Sequence, residues 1–434
     1  MMSTFVRLGK KCKKFVKGVL LPTPAVSVSY CRRIERVKTK ERVCAITFDD
    51  GPMNLPAEPD LFQGRALTDL LLDALDEYRA KGTFDVIGIT ADSYPDVCGK
   101  PGTPQWGGTA YDHYPCFGKD AYGGVVNCPE LVERMIREGH QITNHGYRHI
   151  LFGRKPYVYG KRKAFSSMDK VLDDLSTLDR LLKAQYGYRM TMGRPTHYVD
   201  RIDRSFSSYD VYDRLGYLYL AASFDGMGWL PCLHAEDPTQ AEIDEMIEPM
   251  RKKLEEDPDF LCGQIIFSKD GYNMALRTPV AVGLRKQLAL LQAYGYRVVT
   301  VEELLRYSPF ADVGADDPDF ALFCDLIRTH AIAYSDNTLR PDKPMTCGEL
   351  AMLLAPRTAA IDDRLQALAQ GKRSYRPRSS GAMAWCRREA LLPETAKDAT
   401  PLDTELLRHA ARCFRTLPDE TTRRAILRAY RAEQ

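Results

Sequence analysis

The sequence predicts an α/β fold built on a mainly parallel sheet, followed by a smaller, mainly helical unit. Three observations carry this. Short apolar runs alternate with longer stretches whose apolar residues recur at helical spacing. Acids and histidines stand just after several of those runs, where parallel sheets gather their functional loops. The 434 residues exceed one ordinary domain, and the pattern changes after residue 308.

Residues 42–48 give the first strand, with Val43-Cys44-Ala45-Ile46 as its apolar run. Residues 66–80 place Leu67, Leu70, Leu71 and Leu75 on one helical face, and residues 82–88 return as the second strand. Residues 131–138 read as a helix, 140–143 as the third strand and 171–182 as another helix. Residues 218–222, 264–267 and 297–300 supply later strands, with a helix over 284–293 before the last. Between the second strand and the next helix, residues 91–126 are an insertion rich in Gly, Pro and aromatic residues, including Trp106, Tyr111, Tyr114 and Phe117. It reads equally as a sugar-stacking wall or lid and as a self-packed surface loop.

Two motifs carry the chemistry. Thr47-Phe48-Asp49-Asp50-Gly51-Pro52 ends the first strand with adjacent carboxylates. On a period-two strand they point opposite ways, so the turn must bend the chain to bring both to one site. The second is Asn144-His145-Gly146-Tyr147-Arg148-His149. On a helical turn its two imidazoles, four residues apart, would share one face within reach of one cation. One carboxylate and two imidazoles form a three-ligand set that leaves coordination positions for water and substrate. His140, which opens a strand, reads as hydrogen-bonded structure rather than a ligand.

As a pair, these motifs resemble the polysaccharide deacetylase family with the NodB-homology domain, carbohydrate esterase family 4. The resemblance runs over about residues 40–308. It implies a distorted (β/α) barrel with fewer than eight complete units. It further implies Asp49 as general base and Asp50, His145 and His149 as ligands of a divalent metal. Zinc fits those ligands, and cobalt, nickel or iron fit nearly as well. Three further motifs are present with changes. Arg194-Pro195-Thr196-His197 stands where the family reads Arg-Pro-Pro-Tyr; its Arg orients the base and the His197 amide would help bind the oxyanion. Ser223-Phe224-Asp225-Gly226-Met227-Gly228-Trp229 keeps Asp225 and the pocket-walling Trp229 but has Gly228 for the second Asp. In the last, Lys269 stands where the general-acid His is expected. His197 and Lys269 are therefore equal candidates for the group that protonates the leaving amine. A Lys does so only if burial or a neighbouring cation lowers its pKa.

The net charge of +3 makes no electrostatic case for nucleic acid, and no run of 18 or more apolar residues occurs. In the N-terminal arm, residues 1–38, Phe5, Leu8, Cys12, Phe15, Val16 and Val19 fall at helical spacing among Arg7, Lys10, Lys11, Lys13, Lys14 and Lys17. Three readings stay open for it: a basic helix on an anionic membrane surface, a poor export signal, and a solvated arm. There is no clear signal peptide, and cell envelope and bacterial cytoplasm both fit. Twelve cysteines show no Cys-x-x-Cys spacing. Cys98 and Cys116 lie in the insertion and Cys128 just after it, where a disulfide and reduced thiols fit equally.

The deacetylase-like unit is expected over 39–308 and the helical unit over 309–434. In the latter, Phe310-Ala311-Asp312-Val313, a helix, a turn ending in Pro341 and a capping box from Thr346 to Glu349 are similar to one surface-layer homology repeat. A weaker second copy spans 382–414. The resemblance implies binding to a cell-wall polymer; a plain helical packing unit fits as well.

Two functional readings compete. The first is a metal-dependent hydrolase that removes acetyl groups from an N-acetylated polysaccharide, peptidoglycan or another cell-envelope glycan, using a metal-activated water. The second is a carbohydrate-binding protein that keeps the barrel without turnover, motivated by Lys269 and Gly228.

Overall fold

The computed structural model describes residues 31–54, 64–92, 122–153, 163–203, 206–229, 234–270, 279–329, 333–342, 344–355, 379–388 and 394–399, with positions 232, 392, 401–402 and 408. Residues 1–30, most of the insertion with Cys98 and Cys116, and the chain after 408 lie outside the described residues.

The order is β1 (Arg33–Ile34), β2 (Val43–Asp49), α1 (Leu67–Glu77), β3 (Thr83–Val86), α2 (Pro129–Arg137), β4 (Gln141–Asn144), α3 (Met168–Tyr186), β5 (Met192–Gly193) and α4 (Ser208–Leu215). There follow β6 (Leu218–Leu220), β7 (Phe224–Asp225), α5 (Pro238–Glu256), β8 (Ile265–Lys269), α6 (Pro279–Ala293), β9 (Arg297–Val298) and α7 (Val301–Leu304). The strands form one sheet in the order β1-β6-β5-β4-β3-β2-β8-β7, with β9 also on β2. Every pair in it is parallel. This is a parallel-strand half-barrel with surrounding helices, a distorted (β/α) barrel. The sheet begins earlier than expected: β1, read from sequence as part of the arm, pairs with β6. Two-residue strands such as β1, β5 and β7 are too short for a periodic signal, so pairing rather than pattern defines them.

The period of two sorts each strand between two environments. Cys44, Ile46, Phe48, Phe84, Val86, Ile142 and Ile266 face the helices and share a core with Leu71, Leu75, Val132, Leu175 and Leu284. Each fully buried side chain of this size contributes about 1.5–3 kcal/mol. The inner face starts apolar with Val43, Ala45, Met192, Leu220 and Ile265, joined by Val301 and Leu304 of α7. One layer up it turns polar. Thr83 Oγ1 and Gln141 Oε1 accept hydrogen bonds from the amides of Val301 and Glu302 at the start of α7. One layer higher the register aligns Lys269, Asp49, Asp85 and Thr143 in a row across β8, β2, β3 and β4.

His140 is structural. Its Nδ1 accepts from the Gly82 amide at 3.0 Å, and burial lowers the imidazole to about 4. A base depressed in the folded state opposes folding once it must be protonated, so stability present above pH ~6.5 is lost towards pH ~4. That span corresponds to about 3 kcal/mol. A His140→Gln variant is expected to lose this part of the slope, read by denaturant unfolding between pH 7 and 4.5.

A second core collects Phe310, Val313, Phe323, Leu339, Leu350, Leu353, Met383 and Cys386. It draws on α8 (Phe320–Thr329), α9 (Cys347–Leu354) and α10 (Ser379–Arg388); β10 (Met345–Thr346) pairs antiparallel with β11 (Pro401–Leu402). The capping box is present: Thr346 Oγ1 accepts from the Glu349 amide at 3.2 Å, and Glu349 Oε2 accepts from the Thr346 amide at 2.8 Å. Backbone bonds from Arg33 to Ser335 and from Lys38 to Phe310, both 2.8 Å, tie this region to the barrel. Among the described residues, no helix is long and apolar enough to cross a membrane.

Candidate active site

The site lies at the C-terminal ends of β2, β3, β4 and β8. Asp49 is the last residue of β2 and faces inward with Thr47. Asp50 follows with φ 77°, outside the extended region, and that break turns its carboxylate to the same side. Gly51 is required next: a Cβ there would stand 1.9 Å from Asp270 Oδ2.

His145 and His149 meet without a helix. Both lie in the loop after β4, His149 at φ 51°, and their ring centroids are 5.0 Å apart. The helical-turn expectation is thus corrected: Gly146 at φ 98° folds the loop back, where a helix would have used regular spacing. Asp50 Oδ1 is 3.2 Å from His145 Nε2 and 3.0 Å from His149 Nε2. The three ligand atoms lie within 4.8 Å of one another, and all three residues are buried. A carboxylate oxygen and two imidazole Nε2 atoms converging on one point form a donor set that fits a divalent cation. The second oxygen, Asp50 Oδ2, takes a hydrogen bond from Lys269 Nζ. Burial opposes its charge, yet Lys269 and His149 hold the carboxyl well below its usual range.

Asp49 belongs to a different pair. Arg194, fully buried, donates through Nη1 to Asp49 Oδ1 and through Nη2 to Thr47 Oγ1, the latter at 3.0 Å. Burial raises the Asp49 carboxyl, Arg194 and His145 oppose the rise, and it stands at about 6. Asp49 Oδ2 is 3.9 Å from His145 Nε2. Tyr198 packs under the Arg194 guanidinium at 5.5 Å and Phe267 at 5.6 Å.

His145 is held from behind. Its Nδ1 lies 2.9 Å from the Arg194 carbonyl oxygen and 2.8 Å from Asp85 Oδ2. Burial would lower this imidazole, but the charges of Asp85 and Asp49 raise it to about 10. Sequence reasoning missed Asp85. The signal was present: Thr83-Phe84-Asp85 repeats Thr47-Phe48-Asp49 on the adjacent strand, and the two acids are register partners.

Residues 36–199 match the family model described as Polysaccharide deacetylase. This segment is similar to a polysaccharide deacetylase domain, over less than half of the chain. Peptidoglycan-N-acetylglucosamine deacetylase of Bacillus cereus is 25% identical to the chain over 272 residues, 62% of this chain and 92% of that protein. Peptidoglycan-N-acetylmuramic acid deacetylase PdaC of Bacillus subtilis is 24% identical over 163 residues, 38% of this chain and 23% of that protein. Among solved structures, PdaC aligns with TM-score 0.38 and 20% identity, over 62% of this chain and 93% of that one. The chitin deacetylase of the fungal pathogen Colletotrichum lindemuthianum aligns with TM-score 0.41 and 19% identity, over 66% and 93%.

Beyond the matched segment, the same sheet continues through β7 and β8, near whose ends stand Asp225, Trp229 and Lys269. The Asp225 carboxylate accepts from Trp229 Nε1 at 3.1 Å and from the Met227 amide at 2.9 Å. The half-buried Trp229 ring meets Phe267 edge-on at 6.3 Å between centroids. Gly228 has φ 80°, and a Cβ there would meet Met246 Sδ at 2.5 Å. The expected second Asp is therefore excluded by backbone and packing together. Gly228→Asp should lower the melting temperature and supply no new acid, as thermal unfolding and a pH–rate profile would read. His197 sits at φ 53° with its ring 5.8 Å from that of His149. Cys128 carries a free thiol that donates to the Tyr122 carbonyl at 3.1 Å.

Proposed function

We propose that this chain is a hydrolase that removes N-acetyl groups from a cell-wall glycan, with peptidoglycan as the substrate class. The convergence of Asp50, His145 and His149 beside an Arg-paired Asp49 is the observation that carries the reading. The matched family model and the two named relatives support the substrate class.

A divalent cation held by Asp50, His145 and His149, with zinc the best fit to the donors, would polarise the acetyl carbonyl and acidify a water. Asp49 takes the proton of the attacking water, and Arg194 aims its carboxylate while keeping it ionised. The His197 amide, at the turn after Arg194, is a candidate oxyanion donor. The leaving nitrogen needs a proton, for which His197 and Lys269 are the two candidates; the Lys269 ammonium already stands at the site on Asp50. Trp229, braced by Asp225 and Phe267, forms a wall for the acetyl methyl.

In the same reading, the region after residue 308 is a separate helical unit of surface-layer homology type that touches cell-wall polymer. Its own core and the Thr346–Glu349 capping box support this. The competing binding-only reading draws on Lys269, which neutralises one oxygen of the proposed ligand Asp50.

Metal content and acetate release test the choice. The purified chain is expected to hold about one divalent ion and to release acetate from N-acetylglucosamine oligomers or peptidoglycan. Asp50→Ala is expected to lose both. Stoichiometric metal without acetate from any acetylated glycan would favour the binding reading, and a wild type that takes up no metal would remove the hydrolytic one.

A further inference from the structure

Asp85 is a buried carboxylate at the site that the reading above leaves without a role. It is fully buried at the mouth end of the inner face, where an ionised group is tolerated only beside compensating charge. Its two oxygens have different surroundings. Oδ1 accepts from the Thr143 hydroxyl at 2.6 Å. Oδ2 has no well-aligned hydrogen-bond donor and stands 2.8 Å from His145 Nδ1. The register also sets Asp85 directly across from Asp49, a like-charge pairing that costs stability on a sheet. A shape-matched apolar residue would avoid that cost. The carboxylate therefore has a partner that matters more, and the geometry leaves the His145 imidazole in that place.

We propose that Asp85 is a positioning residue that holds His145 with its Nδ1 protonated and its Nε2 lone pair turned towards Asp50 and His149, strengthening His145 as a metal ligand. It rests on the metal-site reading above. The physical reason is general: a carboxylate behind a ligating imidazole fixes tautomer and ring orientation and raises ligand basicity. At Nδ1 the Arg194 carbonyl, 2.9 Å away, bears on the tautomer without a charge, whereas Asp85 adds negative charge on that side. Thr143, one register step further, aims the carboxylate, so the order runs Thr143, Asp85, His145, cation.

The test is metal affinity of the full-length chain, with Co²⁺ as the probe in competition with a chromophoric chelator. Asp85→Asn keeps the shape and the Thr143 bond but removes the charge, and should weaken Co²⁺ binding by about 10–100-fold. In a His145→Gln background the same change should cost nothing further, because the imidazole through which Asp85 acts is gone. Thr143→Val should weaken binding by a smaller factor in the same direction and keeps the test available should Asp85→Asn not fold. Thermal unfolding of the metal-free proteins controls for fold. Wild-type affinity in folded Asp85→Asn would overturn the inference and leave the metal site standing. An equal loss in the His145→Gln background would also overturn it, since the effect would then bypass His145. A wild type that binds no Co²⁺ would remove the site itself.

Discussion

Asp49→Asn is expected to keep its metal and to lower acetate release by about 10²–10⁴-fold. Asparagine occupies the same volume and its Oδ1 can still accept from Arg194 Nη1, so the buried layer stays filled. What it lacks is the ability to take a proton. Asp49 is not in the set Asp50, His145 and His149, although it groups with Asp85 and His145 in a second one, and its Oδ2 is 3.9 Å from His145 Nε2. Metal content by elemental analysis should therefore match wild type while turnover is lost. Turnover near the wild-type rate in the metal-loaded variant would remove Asp49 as the base. The pH profile follows from the same carboxyl. Burial lifts Asp49 to about 6, so the active, ionised form declines as pH falls through that value. The rate should then drop about tenfold per pH unit on the acid side. A bound cation nearby moves that limb lower.

Arg194→Met is expected to damage both stability and rate. The guanidinium is fully buried and paired with Asp49, and removing one partner leaves a buried carboxylate uncompensated. Breaking such a pair costs about 3–5 kcal/mol. Methionine fills much of the volume, so the loss reports charge more than cavity. The surviving Asp49 loses the cation that opposed its upward shift, and its carboxyl rises further. The acid limb of the pH–rate profile should move to higher pH, in the direction opposite to metal loading. Arg194→Lys should recover part of the stability but not the two-armed contact to Asp49 and Thr47, because an ammonium offers no planar fork. An unchanged limb in a folded Arg194→Met protein would separate Arg194 from the base.

The strands with full periodic patterns were legible in the sequence, because a strand buried on both faces must carry apolar residues towards the helices and an ordered set towards the inside. Val43–Asp49 and Ile265–Lys269 are of this kind. Thr47 to Pro52 and Asn144 to His149 pointed to a cation site because acids and imidazoles seldom gather by chance at strand ends. The helical rationale for His145 and His149 failed, since left-handed backbone at Gly146 and His149 brings the rings together. Such φ values depend on the surrounding packing, which spacing does not encode.

What the chain determined by itself was the identity and order of the proposed site residues: Asp49, Asp50, His145, His149, Arg194 and Lys269 are local facts of composition and strand-end position. Tertiary structure decided who pairs with whom. Lys269 reached Asp50, Arg194 reached Asp49, and Asp85 came to rest behind His145. Register across the five parallel strands β8, β2, β3, β4 and β5 set those partnerships, and register is a property of neighbours far apart in the chain: a one-residue slip would turn Lys269 and Asp85 from the inner face to the helices.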